Sequence, residues 1–324
     1  MTELLRRRAL LAAPAVLLAP PAGARPRYPG QQAVTIVLPY TPSGLPTLLG
    51  NMMTQGLAQR LGGSFVADYR PGASTSIGAR QVARARPDGT TLLMGSVTTF
   101  TVVPHVIRNP GYDPLADFDH LTMIGNTLSM LIGHPRWTDL AAVVAEARRR
   151  PGELSYATFG NGSSAHLVML DFLRRAGIEM LHVPFGGSGP AITEILAGRV
   201  DVMFSTFASA RPHVEAGRLR GFGVPSAARV RSMPEIPTMI EQGYEGFTFD
   251  AWLSVAAPAG TPEPIRTVLE AAFIETFADT DNRARLAGLG LEPSPPGAAA
   301  VRESIRRNLA LNRELLAQAG VTPE

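Results

Sequence analysis

The chain has 324 residues, 45% hydrophobic and 18% charged, which suffices for one large domain or two ordinary ones and argues against disorder. All 30 cationic side chains are arginine and cysteine is absent, so Schiff-base or P-loop lysine, thiol nucleophiles, thiolate metal sites and disulfides are all excluded. The formal charge is +3, and without residues 1–24, which carry three Arg and one Glu, it is +1; no stretch interleaves arginine with aromatics, so a nucleic-acid partner is not expected.

The N-terminus reads as an export signal. Arg6, Arg7 and Arg8 form a positive start, residues 9–19 an apolar run, and Ala22-Gly23-Ala24 a small-residue site, with cleavage expected after Ala24 and Arg25 as the mature N-terminus. The run is shorter than the roughly 20 apolar residues a membrane-spanning helix needs. Arg7-Arg8-Ala9-Leu10-Leu11 also fits the twin-arginine pattern loosely, so Sec and Tat export both stay open. Without cysteine a lipid anchor is impossible, and the exported protein is expected to be soluble.

Beyond this segment, short apolar runs alternate with helical spacing. Residues 33–38 are a strand rich in β-branched residues and stopped by Pro39; residues 46–61 follow as a helix closed by Gly62-Gly63. Further strands are predicted at 91–95, 154–157, 180–183, 200–204, 219–224 and 253–257. Helices are predicted at 76–86, 140–150, 165–176, 190–197, 208–216, 264–279 and 297–319. Arg148, Arg149 and Arg150 close one helix just before Pro151, where cations complement the helix dipole. The alternation argues for an α/β architecture with mainly parallel sheets.

Five predicted strand-to-helix junctions share one composition. They are Tyr40-Thr41-Pro42-Ser43-Gly44, Gly72-Ala73-Ser74-Thr75-Ser76, Gly95-Ser96-Val97-Thr98-Thr99, Phe159-Gly160-Asn161-Gly162-Ser163-Ser164 and Phe185-Gly186-Gly187-Ser188-Gly189. One such loop is ordinary turn and cap chemistry. Five of them, at the carboxyl ends of strands where α/β proteins bind ligands, point to a shared anion cleft built from backbone N–H groups and hydroxyls.

Catalytic signatures are missing. The six histidines, His105, His120, His134, His166, His182 and His213, form no HxH or HExxH spacing. Ser163 or Ser164 with His166 could form a nucleophile–base pair, but no G-x-S-x-G elbow supports it, and no G-x-G-x-x-G fingerprint exists. The acid pairs Asp117/Asp119 and Asp279/Asp281 sit in polar, turn-like stretches.

The loops belong to a longer series: Ile36-Val37-Leu38-Pro39-Tyr40 with Ser43-Gly44, Tyr69-Arg70-Pro71-Gly72-Ala73, and Pro87-Asp88-Gly89 running into Thr90-Thr91-Leu92-Leu93-Met94-Gly95. Tyr112-Asp113-Pro114-Leu115-Ala116-Asp117-Phe118, Gly160-Asn161-Gly162-Ser163, His182-Val183-Pro184-Phe185 and Val200-Asp201-Val202-Met203-Phe204 follow. Ile236-Pro237-Thr238 and Ala257-Pro258-Ala259-Gly260-Thr261-Pro262 complete it. In this order, over residues 34–321, the chain resembles the substrate-binding proteins of tripartite tricarboxylate transporters, the Bug or TctC family of periplasmic solute receptors.

The resemblance implies an α/β, two-lobed periplasmic binding protein fold, type II-like, with mainly parallel sheets flanked by helices and the ligand cleft between the lobes. Residues 33–125 and 245–324 would form the first lobe and 126–244 the second, after the 1–24 signal. It further implies that a ligand carboxylate is held by backbone N–H groups and ordered waters at Tyr40, Ser43, Gly44, Ala73, Ser74, Thr75 and Ser76. Thr47, Ser96, Asn161, Gly162, Ser163 and Phe185 complete the expected site. The expected partners are a small carboxylate and integral membrane transporter subunits. The protein is expected to be a monomer in the periplasm, with no turnover, metal or cofactor. The alternatives are a sensor presenting solute to a receptor kinase and a secreted Ser/His hydrolase.

Three positions depart from the family pattern: Thr47 stands where Asp is usual, Ser76 where Asn is common, and Gly186 where Lys or Arg is common. The first removes a partner for a ligand ammonium and the last a cation for a second carboxylate. Together with Tyr40, Phe159 and Phe185 beside the loops, they suggest a solute with one carboxylate on an apolar or aromatic body, unless Arg70 or Arg211 supplies the missing cation.

Overall fold

A computed structural model describes residues 28–324 apart from Ser43, Asp250, Ala319, Thr322 and Glu324. The export signal, its cleavage site and Ser43 lie outside the described residues.

The chain opens with β1 (Ala33–Leu38), α1 (Gly44–Leu61), β2 (Ser64–Tyr69), α2 (Ser76–Ala83) and β3 (Thr91–Ser96). A π-turn at Thr98–Val102 leads into the single-turn α3 (Val103–Val106) and then β4 (Phe118–Thr127). Next come β5 (Ser129–Gly133), α4 (Leu140–Arg149), β6 (Ser155–Thr158), α5 (Ser164–Ala176) and β7 (Leu181–Pro184). They are followed by α6 (Ser188–Leu196), β8 (Val202–Thr206), α7 (Phe207–Glu215) and β9 (Arg220–Gly223). The last elements are β10 (Ala251–Pro258), α8 (Glu263–Ala278), α9 (Thr280–Gly288), β11 (Leu291–Glu292) and α10 (Ala298–Gln318).

These strands form two sheets, ordered β11-β4-β10-β3-β1-β2 and β7-β6-β8-β5-β9. The apolar runs take the interior positions: every residue of β10 is buried, whereas β2, in which Phe65 alone is buried, lies at an edge. Both sheets are mixed, which corrects the expectation of mainly parallel pairing. β1 pairs in parallel with β2 and β3, and β6 with β7 and β8, but β10 runs antiparallel to both β3 and β4. In the second sheet β5 is antiparallel to β8 and β9. The reason is connectivity. Only Leu128 separates β4 from β5, so the chain leaves one sheet and enters the other with no crossover helix, and β10 returns by a second passage.

Each sheet is covered by helices on both faces, giving each lobe three layers. In the first, Leu49, Met53 and Leu57 of α1 meet Leu269 and Phe273 of α8 over one face, while Ala79 of α2 and Val301 and Ile305 of α10 cover the other. In the second, Val143 of α4 and Phe172 of α5 pack over one face and Ile192 and Ile195 of α6 with Phe207 of α7 over the other. Each fully buried Leu, Ile or Phe contributes about 1.5–3 kcal/mol of hydrophobic stabilisation. The lobes also touch beside the crossing strands, where Leu167 of α5 packs with Val102 and with Leu316 of α10.

The three arginines that close α4 are engaged locally. Arg148 donates to the Ala176 carbonyl at 2.8 Å, and Glu146 pairs with both Arg149 and Arg150. Among the described residues no helix is long and apolar enough to cross a membrane.

Candidate functional site

All five Gly/Ser-rich loops occupy strand-to-helix junctions: β1–α1, β2–α2, β3 to the π-turn, β6–α5 and β7–α6. Three of them reach a cavity of about 200 Å³ between the lobes. Tyr40 enters from the first loop, Ser96, Val97 and Thr98 from the third, and Phe159 and Ser164 from the fourth. Thr127 and Ala251 at the crossings, Thr206 at the end of β8, and Trp252 and Leu253 of β10 complete the wall. A wider groove of about 870 Å³, lined by Arg229, Arg231 and Arg283, shares only Thr127 with this cavity and touches none of the five loops. The cavity at the strand ends is therefore the candidate site.

The second loop lies outside the cavity wall but is wired to it. Ala73, Ser74 and Thr75 all have positive φ (43°, 51° and 82°), the only non-glycine residues to do so among those described. This run turns the chain into α2 and leaves Thr75 and Ser76 buried, with Ala73 and Ser74 exposed. The Thr75 hydroxyl lies 2.9 Å from that of Thr99, which lies 3.3 Å from that of Ser96 on the cavity wall. Tyr40 joins the same cluster. Burial raises its pKa, opposed by the Ser96 and Thr99 hydroxyls, so its O–H stays protonated as a donor at neutral pH.

Gly44 begins α1, whose first turn carries the half-buried Thr47. On the second lobe, Asn161 is exposed, and Ser163 is the N-cap of α5, accepting the His166 backbone N–H at 3.3 Å. Gly162 is buried with φ 67°, and a Cβ there would stand 3.0 Å from Val106 and 3.2 Å from Val102, so only glycine suits this interlobe contact. Phe185, half-buried, packs with Phe159 against the second-lobe core, outside the cavity. Among the described residues, Ser96 is thus the expected residue besides Tyr40 that lines the cavity. Ser164, Thr127, Thr206, Ala251, Trp252 and Leu253 are wall residues that the site reading missed. The crossings among them carry no local signature, since their proximity follows from the chain passing twice between sheets.

The Ser/His arrangement is not a nucleophile–base pair. Nδ1 of His166 accepts the Gly162 N–H at 3.1 Å, and the Ser163 hydroxyl is turned to the backbone rather than the ring. His166 stacks on His182 with 4.1 Å between ring centroids, and His182 on Tyr156 at 5.0 Å. Burial, with His182 beside it, pushes the His166 pKa down to about 4, while burial lowers that of His182. The acid pairs are also structural: Asp119 accepts the Thr261 N–H and pairs with Arg266, and Asp279 caps α9. No cluster among the described residues could hold a metal ion. Arg70 and Arg211, the candidate replacement cations, pair with Asp68 at 2.8 Å and Glu215 at 2.7 Å.

The family model described as the tripartite tricarboxylate transporter family receptor matches residues 50–321. Among solved structures, that of R. palustris Rpa4515 with adipate is similar over 92% of this chain and 100% of its own, at 30% identity and a TM-score of 0.83. The periplasmic binding protein BugD is similar over 90% and 99%, at 26% identity and a TM-score of 0.78. MatC from Rhodopseudomonas palustris, with bound malate, is similar over 88% and 99%, at 28% identity and a TM-score of 0.77.

Proposed function

Because the chain belongs to the tripartite tricarboxylate transporter receptor family, whose members are extracytoplasmic solute receptors and not enzymes, we propose that it captures a small carboxylate between its lobes and delivers it to the integral membrane subunits of a transporter. The observation that carries this reading is the interlobe cavity at the strand ends, rimmed by hydroxyls and helix starts and holding no acid–base pair. Adipate and malate in two structural relatives support a carboxylate as the cargo class. Residues 33–125 with 245–324, and 126–244, are the two bodies that close over the solute, about the passages near Leu128 and before β10.

In the proposed site, Tyr40 and Ser96 donate directly, Gly44 and Thr47 supply the start of α1, and Ser43 belongs to the same loop. Ala73, Ser74, Thr75 and Ser76 form the strained loop behind them. Asn161, Gly162, Ser163 and Phe185 act from the second lobe as rim and support. The protein works as a monomer, exported by residues 1–24. Mass spectrometry of solute retained by gently purified mature protein, followed by calorimetry, tests the proposal. A retained carboxylate that rebinds and is taken up by cells only when the gene is intact is the expected result. Turnover of ester or amide substrates, or failure to bind any carboxylate, overturns it.

A further inference from the structure

The walls of the interlobe cavity bear on how many charges the solute carries. Much of the lining is apolar, from Leu45, Leu49, Met94, Val97 and Leu253, with the ring of Trp252, whose indole N–H has no hydrogen-bond partner. The hydroxyl-bearing side chains are all neutral: Tyr40, Ser96, Thr98 and Thr127 on the side of the first sheet, and Ser164 and Thr206 opposite. No Arg, His, Asp or Glu lines the space.

Part of the donor set at the second-lobe end is already engaged. At the start of α5, the N–H groups of Gly162, Ser163 and His166 are already taken by the His166 ring, the Gly160 carbonyl and the Ser163 hydroxyl. Beside Phe159 lies a recess of about 20 Å³ lined by Ser129 and Ser205, whose hydroxyls have no hydrogen-bond partner. A single water needs roughly 10–15 Å³, so this recess admits one water or one hydroxyl-sized group and not a carboxylate.

We infer that the solute carries a single carboxylate on a compact apolar body, aliphatic or aromatic, rather than two or more carboxylates. The inference rests on the receptor reading above and narrows it. The carboxylate sits at the first-lobe rim, against the hydroxyls of Tyr40, Ser96 and Thr98. The body lies on the apolar wall. An apolar cavity of roughly 150 Å³ accommodates benzene, so about 200 Å³ takes a ring or a six-carbon chain. A second carboxylate would leave water for a wall with no cation, a loss that one partly occupied helix start does not offset.

The test is calorimetry on the mature protein with pairs that share a carbon skeleton and differ by one carboxylate: hexanoate against adipate, and benzoate against terephthalate, with malate and citrate alongside. At least one monoacid is expected to bind tenfold or more tightly than its diacid, a difference of about 1.4 kcal/mol. A di- or tricarboxylate that binds more tightly than every monoacid, or pairs whose members bind equally, overturns the single-charge inference and leaves the receptor reading standing. If no mono-, di- or tricarboxylate binds, the receptor reading itself falls, and this inference with it.

Discussion

Mild acid is expected to destabilise both lobes through one buried histidine in each. His120 is buried in the first lobe against Phe100, its Nε2–H donating to the Pro114 carbonyl at 2.8 Å, while Nδ1 has no partner. Burial pushes its pKa down to about 4, as it does for His166 in the second lobe. Both are neutral when folded and take up protons near the usual 6.5 when unfolded. The unfolded state therefore binds more protons between these values, so stability is full above pH 6.5 and is lost as pH falls toward 4. Between pH 7 and pH 5 each histidine withdraws about 2 kcal/mol, a window in which carboxylates with ordinary pKa values remain ionised. The two tryptophans report separately, since Trp252 packs in the first-lobe core and Trp137 against the second. Urea unfolding followed by fluorescence at pH 7 and pH 5, in variants keeping one tryptophan each, measures the loss lobe by lobe. His120→Gln should remove most of the pH dependence of the Trp252 transition and leave that of Trp137 unchanged. If His120→Gln and the parent lose the same stability over this window, the buried neutral histidine is not its source.

Three further outcomes are expected. Thr99→Val keeps the shape but leaves the buried Thr75 hydroxyl without its 2.9 Å partner, and should cost about 1–3 kcal/mol in urea unfolding while weakening carboxylate binding through Tyr40 and Ser96. Gly162→Ala forces an alanine to φ 67° with its Cβ against Val106, and should destabilise by about 1–2 kcal/mol; a Val106→Ala partner restores the crowding part alone, measured by a double-mutant cycle. Ser74→Gly relieves a left-handed residue worth about 1–2 kcal/mol against about 0.5–1 kcal/mol of added unfolded-state freedom. It should therefore raise urea stability slightly, and a loss of 1 kcal/mol or more would show that the Ser74 side chain is held by its surroundings.

Legibility in the sequence followed how local each signal was. β1, β3 and β10 are apolar runs whose burial needs no partner to be named, and the strand-to-helix rhythm was visible from them. β4 escaped because its buried residues include His120 and Thr122, polar side chains whose partners lie outside the strand. Thr122 accepts from the Gly297 N–H and its neighbour Asp119 from Thr261 N–H, both more than 100 residues away. β2 escaped because Phe65 is the sole buried residue of this edge strand, and α9 because Leu286 is its sole buried residue. Sheet polarity could not be read at all, since it depends on a one-residue link at Leu128 that looks like any other loop residue. Loop composition did mark the strand ends correctly. It could not tell Ser163, whose hydroxyl is used as a helix cap, from Ser164, which reaches the cavity one residue later.

The second loop is where sequence and structure inform each other most. Three consecutive non-glycine residues in the left-handed region cost on the order of 1–3 kcal/mol each, and such strain persists only where the surroundings over-determine it. Here the determinant is Thr75, whose buried hydroxyl is fixed by Thr99 from the next loop. The result is a tight turn into α2: the Thr75 and Ser76 N–H groups donate back to the Gly72 and Ala73 carbonyls, and the buried Thr75 hydroxyl is left facing Thr99. A fixed charge would hold a carboxylate more strongly, but it would also resist the release that a delivering receptor requires. In the proposed site, neutral donors held in place by the Thr75–Thr99–Ser96 chain would bind an anion without a permanent counter-charge. That is consistent with a cavity whose lining polar side chains are hydroxyls and the unpaired indole N–H of Trp252, all of them neutral.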